Sequence, residues 1–293
     1  MTIRLRPAHV LLFPILVGVG AVLAAPRIFK RRFAPPQPPV DVIPSDLGLD
    51  FEVVELKSVN DTFLHAWWIP GEGIAPVIVV LHGWGGNSSL MLPLAPHIHD
   101  AGFHALFVDA RNHGLSEHDS FSSMPRFAED LEVAVEWART HDDVTAVGVI
   151  GHSVGAGALI FSASKGVPID AAVSVSSFAH PGEMMHANMP FPKPVIAMIL
   201  EAVQRTIGYR FDEFAPRVRV GSVEIPLLLV HGDEDVIVPI TSLHELADAH
   251  GSAEVIVVPG GGHSNLAPFE PYIDDIVDFL ARNLSASAPS LPA

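Results

Sequence analysis

The chain of 293 residues contains no cysteine. Disulfides, thiolate metal sites and cysteine nucleophiles are thereby excluded, and nothing in the fold depends on an oxidising compartment. Positive charge is scarce as well: 17 lysines and arginines stand against 33 aspartates and glutamates, a net charge of −16. Six of the bases, Arg4, Arg6, Arg27, Lys30, Arg31 and Arg32, precede the first acid, Asp41, so the remainder carries 11 bases against 33 acids. A body that acidic repels phosphate backbones, and no basic patch with interleaved aromatics appears, which excludes nucleic acid as a partner. What is plentiful is apolar side chain, 49% of residues, enough at this length for one large α/β domain with a small insertion.

Between Arg6 and Arg27 lie 20 residues without a formal charge. A bilayer needs about 20 apolar residues to be crossed as a helix. Residues 1–32 are therefore read as an uncleaved membrane anchor with basic flanks. A cleaved signal peptide is the competing reading, opposed by Pro26 and the basic run from Arg27, which sit where a mature N-terminus should begin. Four bases follow the segment and two precede it, which favours a cytoplasmic body and leaves the outside orientation open. Pro35, Pro36, Pro38 and Pro39 mark residues 33–48 as a stiff linker. Residues 286–293 read as a disordered tail.

From residue 49 to 285 the pattern is that of one folded domain. Phe51 to Lys57 and Leu64 to Ile69, joined by the polar turn Asn60-Asp61, read as an antiparallel hairpin. Short β-rich apolar runs then alternate with longer helical patterns: Val77 to Leu81, Ala105 to Val108, Ala146 to Ile150, Ala171 to Val175, Pro226 to Val230 and Val255 to Val258. Leu90 to Asp100, Phe127 to His141, Val154 to Ser164, Leu243 to His250 and Pro271 to Leu284 read as the intervening helices. This rhythm predicts a mostly parallel sheet of about eight strands, covered by helices on both faces. The interval from His180 to Val223 is too long for a simple crossover and is read either as a small helical lid or as a crossover helix with extra turns.

After the run Ala146 to Ile150 stands Gly151-His152-Ser153-Val154-Gly155, a G-x-S-x-G pentapeptide between a strand and a helix. Such a turn forces the serine into a strained backbone conformation, and glycines remove side chains that would collide with the packed strand and helix. Ser153 is the candidate nucleophile. A serine hydroxyl needs a base to take its proton, and the chain offers 16 histidines. His263 follows the last strand-like run and the flexible Pro259-Gly260-Gly261-Gly262, where a loop can carry an imidazole over the sheet edge. The orienting acid should follow the preceding strand, where Asp233, Glu234 and Asp235 compete. Asp235 is favoured because it directly precedes the Val236-Ile237-Val238-Pro239 segment that closes the loop, and Asp233 and Glu234 are left to shape the turn. For an oxyanion hole, Leu81-His82-Gly83-Trp84-Gly85-Gly86 follows the first parallel strand, and the main-chain N–H groups of Trp84 and Val154 are the candidate donors. The helix beginning at Val154 adds its positive N-terminal end.

These motifs, in the order Ser, Asp, His, resemble those of the α/β-hydrolase superfamily over residues 50 to 285, and more closely its membrane-anchored bacterial serine aminopeptidase and ABHD-like members. Asp109-Ala110-Arg111-Asn112-His113-Gly114-Leu115-Ser116 is similar to the family's D-x-R-G-x-G-x-S loop, with Asn112 in place of a glycine. That loop is structural in the family, so the resemblance implies that His113 is not catalytic. It also implies hydrolysis through an acyl-enzyme with no cofactor and no metal, and a serine at the elbow argues against dehalogenase or epoxide hydrolase chemistry. The apolar 180–223 insertion points to a small ester with an apolar acyl group, and the anchor to the membrane as a partner. A peptidase or amidase remains the alternative, with Glu183, Glu201, Asp212 and Glu213 as possible anchors for a substrate amine. A non-catalytic membrane-tethered binding module is the third reading.

Overall fold

The computed structural model describes residues 35–265 and 267–285. The candidate anchor at 1–32 and the tail at 286–293 lie outside them. Among the described residues, no helix is long and apolar enough to cross a membrane.

The chain opens with β1 (Glu52–Lys57) and β2 (Phe63–Ile69), an antiparallel pair in which Glu52 faces Trp68. Asn60 and Asp61 in the turn have φ of 60° and 57°, the left-handed region that their short polar side chains tolerate. β3 (Ala75–Leu81), β4 (His104–Val108), β5 (Val144–His152), β6 (Ala171–Val175), β7 (Leu227–Gly232) and β8 (Glu254–Val258) follow, and the eight strands are ordered β1-β2-β4-β3-β5-β6-β7-β8. β2 meets β4 antiparallel, and all later pairings are parallel. The crossover from β3 leads to β4 on one side and that from β5 leads to β6 on the other, so the crevice between their exits opens at the C-terminal ends of β3 and β5. There Leu81 pairs with Gly151, which sets His82-Gly83 beside His152-Ser153.

α1 (Ala95–Asp100) and α7 (Ile273–Ser285) cover one face of the sheet, and α2 (Met124–Ala138) and α3 (Val154–Ser164) pack together on the other. α7 shows why: Ile273, Ile276, Val277, Leu280 and Leu284 are buried, while Asp274, Asp275 and Asp278 face solvent. Its seat needs Gly148 in β5, since a Cβ there would come within 2.9 Å of Ile78 Cδ1 and 3.0 Å of Leu284. The stretch predicted as one helix from Leu90 to Asp100 is three pieces, Ser88–Met91, Leu92–Leu94 and α1. Pro93 and Pro96 explain the breaks, because neither supplies an N–H.

The interval from 180 to 223 forms α4 (Pro181–Ala187), α5 (Lys193–Ile207) and shorter helices at Phe211–Phe214 and Pro216–Arg219, before α6 (Thr241–His250) follows β7. On α5 only Ile196 and Val203 are buried, and Met198 is 67% exposed.

The Pro-rich stretch read as a linker is bonded to the domain over its described part. The Asn87 amide donates to the carbonyls of Pro38 and Pro39 at 3.1 and 3.2 Å, and the Val42 N–H donates to Ser89 Oγ at 3.0 Å. Gln37 donates to the Asn112 carbonyl at 3.0 Å, and Pro36 lies against Gly85, where an added Cβ would be 2.9 Å from its Cδ. Residues 36–42 thus form a strap over the loops that follow β3 and β4.

Candidate active site

Ser153 sits at the turn from β5 into α3 with φ 53° and ψ −112°, a conformation an L-residue adopts only under constraint. The constraint is visible in its glycine neighbours. A Cβ on Gly151 would lie 2.5 Å from the Gly155 carbonyl oxygen, and one on Gly155 would lie 2.5 Å from that of His82. Both glycines are therefore required for strand, turn and helix to approach.

His263 Nε2 lies 2.9 Å from Ser153 Oγ, and its Nδ1 lies 2.7 Å from Asp235 Oδ2. The other carboxylate oxygen of Asp235 accepts from the N–H groups of Ile237 and Val238 at 2.9 and 2.8 Å. Burial alone would push the Asp235 carboxyl up, but the bonds from His263 and from these backbone donors outweigh it and hold the group below the usual carboxylate range. Asp233 stands apart and accepts from the Gly260 N–H at 2.7 Å, tying the acid's loop to the histidine's loop. The two loops touch at Gly232, where a Cβ would be 2.1 Å from the Gly261 oxygen.

Two further histidines support this arrangement, and sequence reasoning passed over both. His152, taken only as the variable residue of the pentapeptide, donates from Nε2 to the backbone carbonyl of His263 at 2.9 Å. Burial and then the neighbouring imidazole of His263 lower its pKa to about 4, so it is a neutral donor. His231, at the end of β7, donates from Nε2 to the Val238 carbonyl at 2.8 Å and lies 3.5 Å from Asp235 Oδ2. The available signal was position alone, one residue before the elbow serine and four before the acid.

His82 fixes the opposite wall. Its Nδ1 donates to the Gly83 carbonyl at 2.7 Å, while Nε2 accepts from the Ala110 N–H at 3.1 Å. His113 packs edge-on against Trp84 and is fully buried, with its pKa lowered to about 3 by burial and then by His82. Asn112 carries φ 64° in the place where the family loop has glycine, and its side chain donates to Ser122 and accepts from the Asp119 N–H. Those two bonds hold an asparagine in the left-handed region.

Ser153 and His263 border a cavity of about 200 Å³, with Trp84, Leu90 and Met91 among its walls. Trp84 lines this cavity together with Ser153. Val154 follows Ser153 as the first residue of α3, and its N–H is one of those that lack an intrahelical acceptor. No residue of the 180–223 insertion lines this cavity. The insertion's acids are engaged elsewhere: Glu183 with Arg217, Glu201 with Arg205, Asp212 with His180, and Glu213 with the Arg210 N–H. None of the four lines the Ser153 cavity.

Residues 76–206 match the family model described as alpha/beta hydrolase fold, and residues 208–285 match the one described as TAP-like protein. Protein ABHD12B of Homo sapiens is 30% identical over 228 residues, 72% of this chain, and the match spans 62% of that relative's length. The monoacylglycerol lipase of Mycolicibacterium smegmatis is 24% identical over 258 residues, 74% of this chain and 92% of the lipase. Among solved structures, the esterase Pf2001 of Pyrococcus furiosus superposes with a TM-score of 0.71 at 22% identity, over 85% of this chain and 99% of that one. Sequence models, relatives and fold agree, and the chain belongs to the α/β-hydrolase superfamily.

Proposed function

We propose that the protein is a serine hydrolase that cleaves carboxylic esters through an acyl-enzyme, with Ser153 as nucleophile, His263 as general base and Asp235 as the acid that orients it. The observation that carries this reading is the unbroken relay of 2.9 and 2.7 Å contacts from Ser153 Oγ through His263 to Asp235. In the first half-reaction, Ser153 Oγ bonds to the ester carbonyl carbon as its proton passes to His263 Nε2. The negative oxygen of the tetrahedral intermediate accepts from the Trp84 and Val154 N–H groups, and the imidazolium is stabilised by Asp235. Collapse breaks the carbon–oxygen bond to the alcohol, which leaves with the proton from Nε2. In the second half-reaction water enters by the same base and releases the acid. The names of the lipase and esterase relatives support an ester over an amide, and among the described residues no acid lines the Ser153 cavity, which supports the same choice.

Hydrolysis of p-nitrophenyl esters by wild type and Ser153→Ala tests the reading. The variant is expected to lose at least about 10³-fold in kcat, and to lose labelling by a fluorophosphonate probe. Equal turnover by the two proteins would defeat the assignment of Ser153. Labelling of Ser153 without turnover of any ester would defeat the ester specificity while leaving the nucleophile.

A further inference from the structure

Beside the Ser153 cavity lies a larger one of about 300 Å³, and the two share Met91 and His152. Much of its wall is apolar, with Met91, Ile150, Val175, Phe269, Ile273 and Ile276 all buried, and the exposed Glu270 stands at its rim. These residues come from the piece before α1, from the ends of β5 and β6, from the segment leading into α7 and from the first turn of α7. Hydrocarbon walls offer water few hydrogen-bond partners, so such a space favours an apolar occupant. At its outer side the cavity reaches His97, which also borders an open depression flanked by Asp100, Asp274 and Asp278. Neither cavity receives a residue from the 180–223 insertion.

We propose that this second cavity holds the acyl chain of the substrate, which passes from Ser153 between Met91 and His152 and lies against α7. The proposal rests on the ester reading above and moves the acyl site from the insertion to the α1–α7 side of the sheet. A methylene is about the size of a water molecule, whose share of liquid volume is about 30 Å³. A 300 Å³ cavity therefore takes an unbranched chain of about eight to ten carbons. The three aspartates at the outer side repel a terminal carboxylate, so the chain is neutral at its free end.

The test is a series of p-nitrophenyl esters from acetate to palmitate, given to the full-length chain and to Ala267→Trp, a change at a solvent-exposed position of the cavity wall. Each added methylene that enters the cavity is worth about fourfold in transition-state binding at most. For the wild type, kcat/KM is expected to climb at least tenfold from acetate to octanoate or decanoate and to fall by palmitate. In Ala267→Trp the maximum moves to butyrate or hexanoate, and the decanoate-to-butyrate ratio drops about tenfold. Ile276→Ala, which deepens the cavity, moves the maximum toward longer chains. A wild-type maximum at acetate overturns the proposal whatever the variants do, and so does an unshifted maximum in a folded Ala267→Trp. Either result leaves the ester reading intact. Failure of every ester in a protein that still takes a fluorophosphonate at Ser153 overturns that reading, and the acyl cavity with it.

Discussion

His152 separates the two cavities and bonds the backbone of His263, so a residue without a role in proton transfer governs where the base sits. Loss of one neutral hydrogen bond typically costs about 0.5 to 1.5 kcal/mol. His152→Leu is accordingly expected to lower kcat on a short ester up to about tenfold, and His152→Gln, which keeps a donor, to recover part of the loss. Steady-state kinetics that show equal kcat for Leu and Gln would reduce the contact to packing. The turn that carries Ser153 and the loop that carries Asp235 were legible in the sequence because backbone geometry dictates their neighbours: glycines at 151 and 155, and a loop closed by Val236 to Pro239. The roles of His152 and His231 were not. Each acts through a main-chain carbonyl, which has no side-chain signature, and for His152 that carbonyl is 111 residues away.

Among the elements, the strap at residues 36–42 departs furthest from what composition suggested. Proline spacing describes stiffness, but it carries no information on what the stiff segment lies against. Here Asn87, Ser89 and Asn112 are its anchors, and Pro36 backs Gly85, the neighbour of the proposed oxyanion donor Trp84. Deleting residues 1–42 should therefore cost both stability and rate compared with deleting 1–34. Four lost hydrogen bonds correspond to about 2 to 6 kcal/mol, read as a Tm fall of about 5 °C or more, with kcat reduced severalfold. Matching Tm and kcat for the two truncations would make the strap an ornament. α6 and α7 followed the apolar period, each burying one stripe, whereas the central strands and α3, which is buried on every side from Val154 to Ser162, read as continuous apolar runs. The Leu90 to Asp100 stretch is not one helix, since its prolines override the period.

At the scale of the molecule, buried histidines shape the response to acid. Burial lowers the pKa of His82, His113 and His231 below the ordinary value of 6.5, to about 3 for His113, and lowers that of the partly buried His152 to about 4. Below pH 6.5 the unfolded chain takes up protons that the folded one refuses, so this stability is complete above 6.5 and drains away as pH falls toward 4. Between pH 7 and 5 the loss should reach about 1 to 2 kcal/mol for each of His113 and His152, measured as the free energy of denaturant unfolding. His113→Phe should flatten that slope, and a wild-type profile level from pH 7 to 5 would refute the assignment of neutral buried imidazoles. The mostly parallel sheet of eight strands follows from the strand rhythm, while its order, β1-β2-β4-β3-β5-β6-β7-β8, carries no signature in the rhythm. The 300 Å³ cavity was beyond reach of the sequence, because a void depends on what neighbouring side chains fail to fill.

The strap has one more consequence. The chain enters the domain at the rim of the Ser153 cavity, where Pro36 meets Gly85, and α7 ends with Leu284 against Gly148, which pairs with the first residue of β6 at the opposite edge of the sheet. Cut back to residue 35 and tethered there to a bead or sensor chip, the domain presents its entrance to the support; tethered at residue 285, it presents the entrance to the liquid. The choice of attachment point thus controls substrate access without the alteration of a single side chain.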